Sequence, residues 1–302
     1  MKISGFTMVR NADKYYFPIK EAILSILPIV DEFIVALGNC DDNDQTENLI
    51  NSINSDKIKI FHRKWDEKKY IDGLIFKEET DFALSKCTGD WCFYLQADEV
   101  VHENDLEYIK TKCLEFLNDK NVDGFLFNYY HFWGDYNHYL PFHGWYRNEI
   151  RIVRNNAGIF SFKDAQSFRK INNEKLKVKP LNAYIYHYGW VRPPGIMQSK
   201  RKEQHSMHHG KNETNENFSK KESYYNYGAL GKIPLFKGSH PQVIYSLLKN
   251  FNWKYQLNYS KKADPETEKA KHEKLKYKIL SFFENKFFNG KQFFGYSNWI
   301  KI

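Results

Sequence analysis

Along the first 130 residues the apolar positions change rhythm repeatedly. Short continuous runs predict buried strands: KISGFTMV (residues 2–9), DEFIVAL (31–37), KIKIF (57–61), WCFYLQ (91–96) and GFLFNYYHF (124–132). Between them, apolar residues fall at helical spacing. They predict helices over 16–27, opened by Pro18, over 46–54, over 73–87, ended by TGD, and over 103–119, capped by Asn104. Strands alternating with helices predict an α/β fold, a mostly parallel sheet with helices on both faces. Ligands of such sheets bind beyond the carboxyl ends of the strands. The run DWCFYLQADEV puts two carboxylates, Asp98 and Glu99, at such an end. Acids there either face a ligand or cap the helix that follows.

From residue 131 the pattern changes. HFWGDYNHYLPFHGWYRNEIRIVRNN is aromatic and polar with no helical period. Strands are expected at 149–154, 158–168 and 182–190, then a polar helix at 196–209, a low-order segment at 210–223 and a helix around 266–283. This reading divides the chain into a unit over 1–194, with halves 1–130 and 131–194, and a helical or irregular extension over 195–302.

Charge sharpens the division. The chain carries net +8, but from Gly195 onward there are 20 Lys and Arg against 9 Asp and Glu, net +11, while the first 194 residues sum to −3. Such an extension suits an anionic partner, whether a membrane surface, an anionic lipid carrier or nucleic acid, or is simply a soluble lysine-rich surface. No apolar run reaches the length of a membrane span, and the opening MKISGFTMVRNADKYYFP is too polar for a signal peptide. The four cysteines, Cys40, Cys87, Cys92 and Cys113, form no CxxC pair and read as free thiols rather than a zinc site. These features predict a cytoplasmic protein, with peripheral contact at the inner face of an anionic membrane as one role open to the basic extension.

Several segments, taken in order, resemble the family 2 glycosyltransferases of GT-A fold over about residues 1–190. They are TMVRN, DEFIVALGNCDDNDQT, FALSKCTGDWCFYLQADEV, EIRIVRN and YIYHYG. The resemblance implies transfer of a sugar from a nucleotide-sugar donor, preferably UDP-linked, to a glycan or cell-envelope acceptor, a carbohydrate or lipid-linked glycan. It also implies Mn2+ or Mg2+ bridging the departing diphosphate. The family has two acids separated by one residue, where this chain reads Gln96-Ala97-Asp98. Asp98 matches the second acid and is the expected metal ligand. Gln96 is left to bond the ribose or a metal-bound water, and Glu99 to ligate or to orient water. His187 matches the histidine that completes the metal site, with a core histidine as the alternative.

The same resemblance places the nucleotide among Arg10, Asn11, Asp42 and Asp44, where a carboxylate accepts the uracil imide N–H. The alternative for DDND is a solvated turn capping the helix from Thr46. Lys77 is expected near a phosphate, or on the surface. An inverting transfer needs a base for the acceptor hydroxyl; Asp164 stands at about the family's position, with Glu149 as alternative. Trp133, Asp135, Trp145 and Arg147 are candidates for an acceptor platform, the tryptophans equally for core. Two other readings stand beside this one. A sugar nucleotidyltransferase would need a glycine-rich loop that TMVRNADK lacks. A non-catalytic carbohydrate- or nucleic-acid-binding protein suits the basic, aromatic composition, yet strand-end carboxylates repel phosphates unless a cation intervenes, so no nucleic acid is expected.

Overall fold

The computed structural model describes residues 1–66, 68, 70–218, 223–262, 269–288, 290–294 and 297–302. Its elements in chain order are β1 (Ile3–Val9), α1 (Ile19–Ile26), β2 (Glu32–Gly38), α2 (Thr46–Asn51), β3 (Ile58–Arg63), α3 (Leu74–Ser85), β4 (Trp91–Tyr94), β5 (Glu99–Val101), α4 (Leu106–Glu115), β6 (Gly124–Trp133), β7 (Asn148–Arg154), β8 (Ile159–Phe162), β9 (Ser167–Lys170), β10 (Leu176–Trp190), α5 (Pro194–His209), α6 (Lys211–Phe218), α7 (Tyr245–Lys249), α8 (Leu275–Phe287) and β11 (Trp299–Lys301).

A nine-stranded sheet runs β11-β10-β6-β7-β4-β1-β2-β3, with β5 pairing beside β10. Only β7 and β5 run against the rest. This is the α/β, mostly parallel architecture the alternating rhythm predicts. The central strands β1, β2 and β4 are apolar on both sides because helices cover both faces. One layer packs Ile19, Ile23, Ile26 and Ile109 against Phe33, Phe93 and Phe125. The other packs Ala83 and Leu84 against Phe6, Ile34 and Tyr94. The cysteines are free.

Several expectations are corrected. Residues 103–105 form a 3₁₀ turn capped by His102, whose Nδ1 accepts from the Asn104 amide; α4 begins only at Leu106, so Asn104 is not its cap. The single strand expected over 158–168 is the hairpin β8–β9, turned at Lys163 and Ala165, both with positive φ. The segment expected to lack order holds α6, while 219–222 lie outside the described residues. The last helix begins at Leu275, after the part of its expected span, 266–268, that also lies outside them. The three-residue β5 was not foreseen, being too short to show a rhythm. No helix among the described residues is long and apolar enough to cross a membrane.

Candidate active site

A cavity of about 360 Å³ opens at the carboxyl edge of the parallel strands. Its floor comes from Arg10 and Asn11 after β1, Gln96 and Asp98 after β4, His131 on β6 and His187 on β10. Trp145 and Tyr146, before the reversed β7, and Trp190, ending β10, form an aromatic wall. Asp164 and Gln166 arrive from the β8–β9 turn, and Lys200, Glu203, Gln204 and Met207 from one face of α5. The strand ends converge because seven strands point the same way, and α5 adds its face at i, i+3, i+4, i+7 spacing.

The sheet itself sets the distance between Asp98 and His187. β5 pairs antiparallel with β10, placing Glu99 opposite His187, and the Tyr188 amide donates to the Asp98 carbonyl at 2.8 Å. His187 Nε2 then lies 3.8 Å from Asp98 Oδ1. The tautomers follow from the partners. His131 Nε2 lies 2.7 Å from the Tyr146 carbonyl, which only accepts, so Nε2 carries the proton. Burial, then the neighbouring His187, pushes the His131 imidazole well below its ordinary range, so it is neutral and its Nδ1 accepts. The partner 3.0 Å away, His187 Nδ1, must therefore donate. His187 Nε2 then faces the Asp98 carboxylate, with a lone pair when the ring is neutral and with an N–H when it is charged.

The charges around Asp98 agree. Burial alone would raise its carboxyl, but His187, Lys200 and Arg192 outweigh this and hold it below the ordinary carboxylate range. Burial pushes the His187 imidazole down despite Asp98 and Glu99. A lone pair and a carboxylate facing one another repel unless a cation or proton lies between. Two atoms each about 2.1 Å from one ion are at most about 4.2 Å apart, so one divalent cation could reach both atoms across the 3.8 Å gap. Gly189 leaves room for it: a Cβ there would stand 2.5 Å from His187 Nε2 and 2.7 Å from Asp98 Oδ2. Among the described residues no group of three or more His, Cys, Asp and Glu side chains converges on one point, so oxygens of a ligand or water would complete the shell.

Further cations back the site. Arg192, fully buried, has Nη2 3.9 Å from Asp98 Oδ2, and its Nε and Nη2 have no hydrogen-bond partner. Lys200 reaches over Trp190 and Phe17 to the Gly189 carbonyl. Burial, then the Arg192 charge, brings its ammonium down to about 7.

The other expected residues divide. Arg10, Asn11, Gln96, Asp164 and Trp145 line the cavity with Asp98 and His187. Asn11, with φ of 54°, clasps Asp41 rather than Asp42 or Asp44: its Nδ2 donates to the Asp41 carboxylate and its Oδ1 accepts from the Asp41 amide. Asp42 is exposed, and Asp44 accepts from the Lys14 and Thr46 amides, the capping alternative. Lys77 pairs with Asp81 and is not in the cavity wall.

Glu99 is not free to ligate: both of its oxygens bond Arg151, and Tyr129 donates to it at 2.8 Å. Glu149 is buried away from the cavity, where burial raises its carboxyl to about 7. Trp133 is core, its indole donating to the Tyr227 carbonyl. Asp135 accepts from the Asn137 and His138 amides and the Tyr259 hydroxyl, a turn-holding role. Arg147 bonds Pro141 and Asn285 outside the cavity. His131, Lys200, Arg192 and Trp190 were missed. The helical spacing of Lys200, Glu203 and Met207 was visible, but polar residues on a helix read first as a solvent face.

The sequence matches no known protein-family description and no curated protein. Among solved structures, this chain is similar to S. aureus TarS, at 14% identity and TM-score 0.40, over 68% of this chain and 39% of that one. It is also similar to glucosyl-3-phosphoglycerate synthase from Mycobacterium tuberculosis in complex with Mn2+, UDP and phosphoglyceric acid, at 17% identity and TM-score 0.29, over 43% of each. The chain spans less than half the length of either. Likenesses of this extent carry no weight for activity, which rests on the cavity's own residues.

Proposed function

We propose that this chain is a glycosyltransferase that depends on a divalent cation, Mn2+ or Mg2+, and takes a nucleotide-sugar donor, UDP-linked by preference. The observation that carries the reading is His187 Nε2 set 3.8 Å from the Asp98 carboxylate on the cavity floor, with the charges of Lys200 and Arg192 beside them. Asp98 and His187 would hold the ion, which supplies charge stabilisation to a departing diphosphate. Lys200 and Arg192 add positive potential from the side of α5, in a setting of low dielectric where it is strong. Arg10 is held toward the cavity by the Asn39 carbonyl and Glu203. With Asn11 and the Asp41 loop it forms the side on which we place the nucleotide.

Asp164, which lines the same cavity from the β8–β9 turn, is the proposed base for the acceptor hydroxyl. Gly73 makes its position feasible: with φ of 70° it starts α3 without a side chain, and a Cβ there would press 2.8 Å from the Asp164 Cβ. Trp145 and Trp190 offer flat apolar faces to a sugar ring of the acceptor, a carbohydrate or lipid-linked glycan. The test is a panel of nucleotide-sugars, read by nucleotide release and thermal stabilisation with and without Mn2+. Stabilisation by UDP that requires Mn2+ in the wild type and is lost in Asp98→Ala supports the reading. UDP binding indifferent to Mn2+ and to Asp98 refutes it.

A further inference from the structure

Helix α8 is built inside out. Its buried positions are polar: Ser281 and Glu284. Ser281 Oγ accepts from the His143 amide, the Glu284 carboxylate pairs with the His143 ring at 2.7 Å, and Asn285 bonds Arg147 and Pro141. The opposite face is apolar and open. Leu275, Ile279, Phe282, Phe283 and Phe287 fall at i, i+4, i+7, i+8 and i+12, which gathers them into one stripe. They are 72%, 49%, 54%, 48% and 59% exposed. A helix that turns large apolar side chains outward along its length marks an interaction surface.

Charge identifies the occupant. Glu284 is the helix's sole acid and it points inward, while Lys276, Lys278 and Lys286 are exposed. The Lys286 ammonium lies 5.2 Å and 5.5 Å from the Phe282 and Phe287 ring centres. Against a second copy of the chain, such a face would set lysines against lysines. Against a lipid surface, the rings enter the acyl boundary and the long lysine stems carry their charges up to phosphate. We propose that α8 is an interfacial helix that lies flat on an anionic phospholipid surface through Leu275, Ile279, Phe282, Phe283 and Phe287. The loop it docks on, residues 141–147, leads into Trp145 and Tyr146 of the cavity wall, so the surface would lie beside the aromatic side of the site.

The experiment is co-sedimentation of the full chain with vesicles of equimolar phosphatidylglycerol and phosphatidylcholine at low salt. The chain is expected to pellet with them, less with pure phosphatidylcholine, and less as salt is added. The triple variant Phe282→Ser, Phe283→Ser, Phe287→Ser is expected to weaken partition roughly 100-fold or more, three half-inserted rings being lost. The same variant should keep the wild-type thermal unfolding profile, because the three rings are exposed. A wild-type chain that stays in the supernatant overturns the proposal, as does equal binding to pure phosphatidylcholine or binding untouched by the triple variant. A concentration-dependent dimer that the variant abolishes, with no vesicle binding, assigns the face to a second copy instead. Vesicle binding is read without donor or acceptor, so its failure leaves the transferase reading untouched.

Discussion

Replacing Arg151 by Met tests what holds the acidic strand end in place. Arg151 and Glu99 are both fully buried, joined by two hydrogen bonds of 2.7 Å. Burial alone would lower the Arg151 pKa, but the facing Glu99 charge reverses this and raises it well above the ordinary range. In Arg151→Met the Glu99 carboxylate stays buried with only the Tyr129 hydroxyl and the Gln96 amide as donors. Charge-assisted hydrogen bonds contribute about 1.5–3 kcal/mol each, and breaking a buried pair from one side costs about 3–5 kcal/mol. A loss of about 4 kcal/mol is therefore expected, read by urea unfolding, with a fall in Tm of roughly 10 °C. The double variant Glu99→Gln, Arg151→Met removes both charges and should recover at least about 2 kcal/mol of that loss. Glu99 sits opposite His187 across the β5–β10 pairing, so the single variant should also weaken Mn2+-dependent UDP binding. A single-variant loss below about 1 kcal/mol, or a double variant no more stable than the single, refutes the reasoning.

Gly189→Ala places a methyl in the gap between Asp98 and His187; it should abolish Mn2+-dependent stabilisation by UDP while leaving the circular dichroism spectrum unchanged. The depressed ammonium of Lys200 has a pH consequence: between about 7 and the ordinary 10.5 the unfolded chain holds a proton that the folded one lacks, so this group makes stability rise with pH across that window. A bound diphosphate favours charged Lys200, so UDP affinity should fall as pH rises above 7, and calorimetric titration of Lys200→Met should show a flatter profile. Asp164→Asn keeps shape but removes basicity; turnover should drop about 100-fold or more with donor affinity spared, and unchanged turnover removes Asp164 from the reaction.

The sheet was legible because its strands are long apolar runs and its helices keep their spacing, as in TENLIN and LIFKEETDFALS. That Asp98 and His187 would reach one cavity was legible because strand ends in such a sheet point to one edge. Glu99 was not. Neighbouring residues at the start of a strand face opposite ways, and only the fold reveals Arg151 waiting on the inner side. Trp133 and Asp135 looked like sugar-binding residues because nothing local announces that Tyr227 and Tyr259, about a hundred positions later, cover them. Lys200 lay hidden for the same reason. A polar helix face gives no sign whether water or a cavity lies against it.

The Asp98–His187 spacing is written into main-chain pairing, and this bears on how the site persists in time. The Tyr188 amide bonded to the Asp98 carbonyl and the β5–β10 ladder belong to the nine-stranded sheet, so pulling the two side chains apart means opening that sheet. Amide protons there should exchange with deuterium only on the slow timescale of whole-chain opening, while those of exposed loops exchange early. The pair is therefore expected to keep its spacing with or without a ligand present.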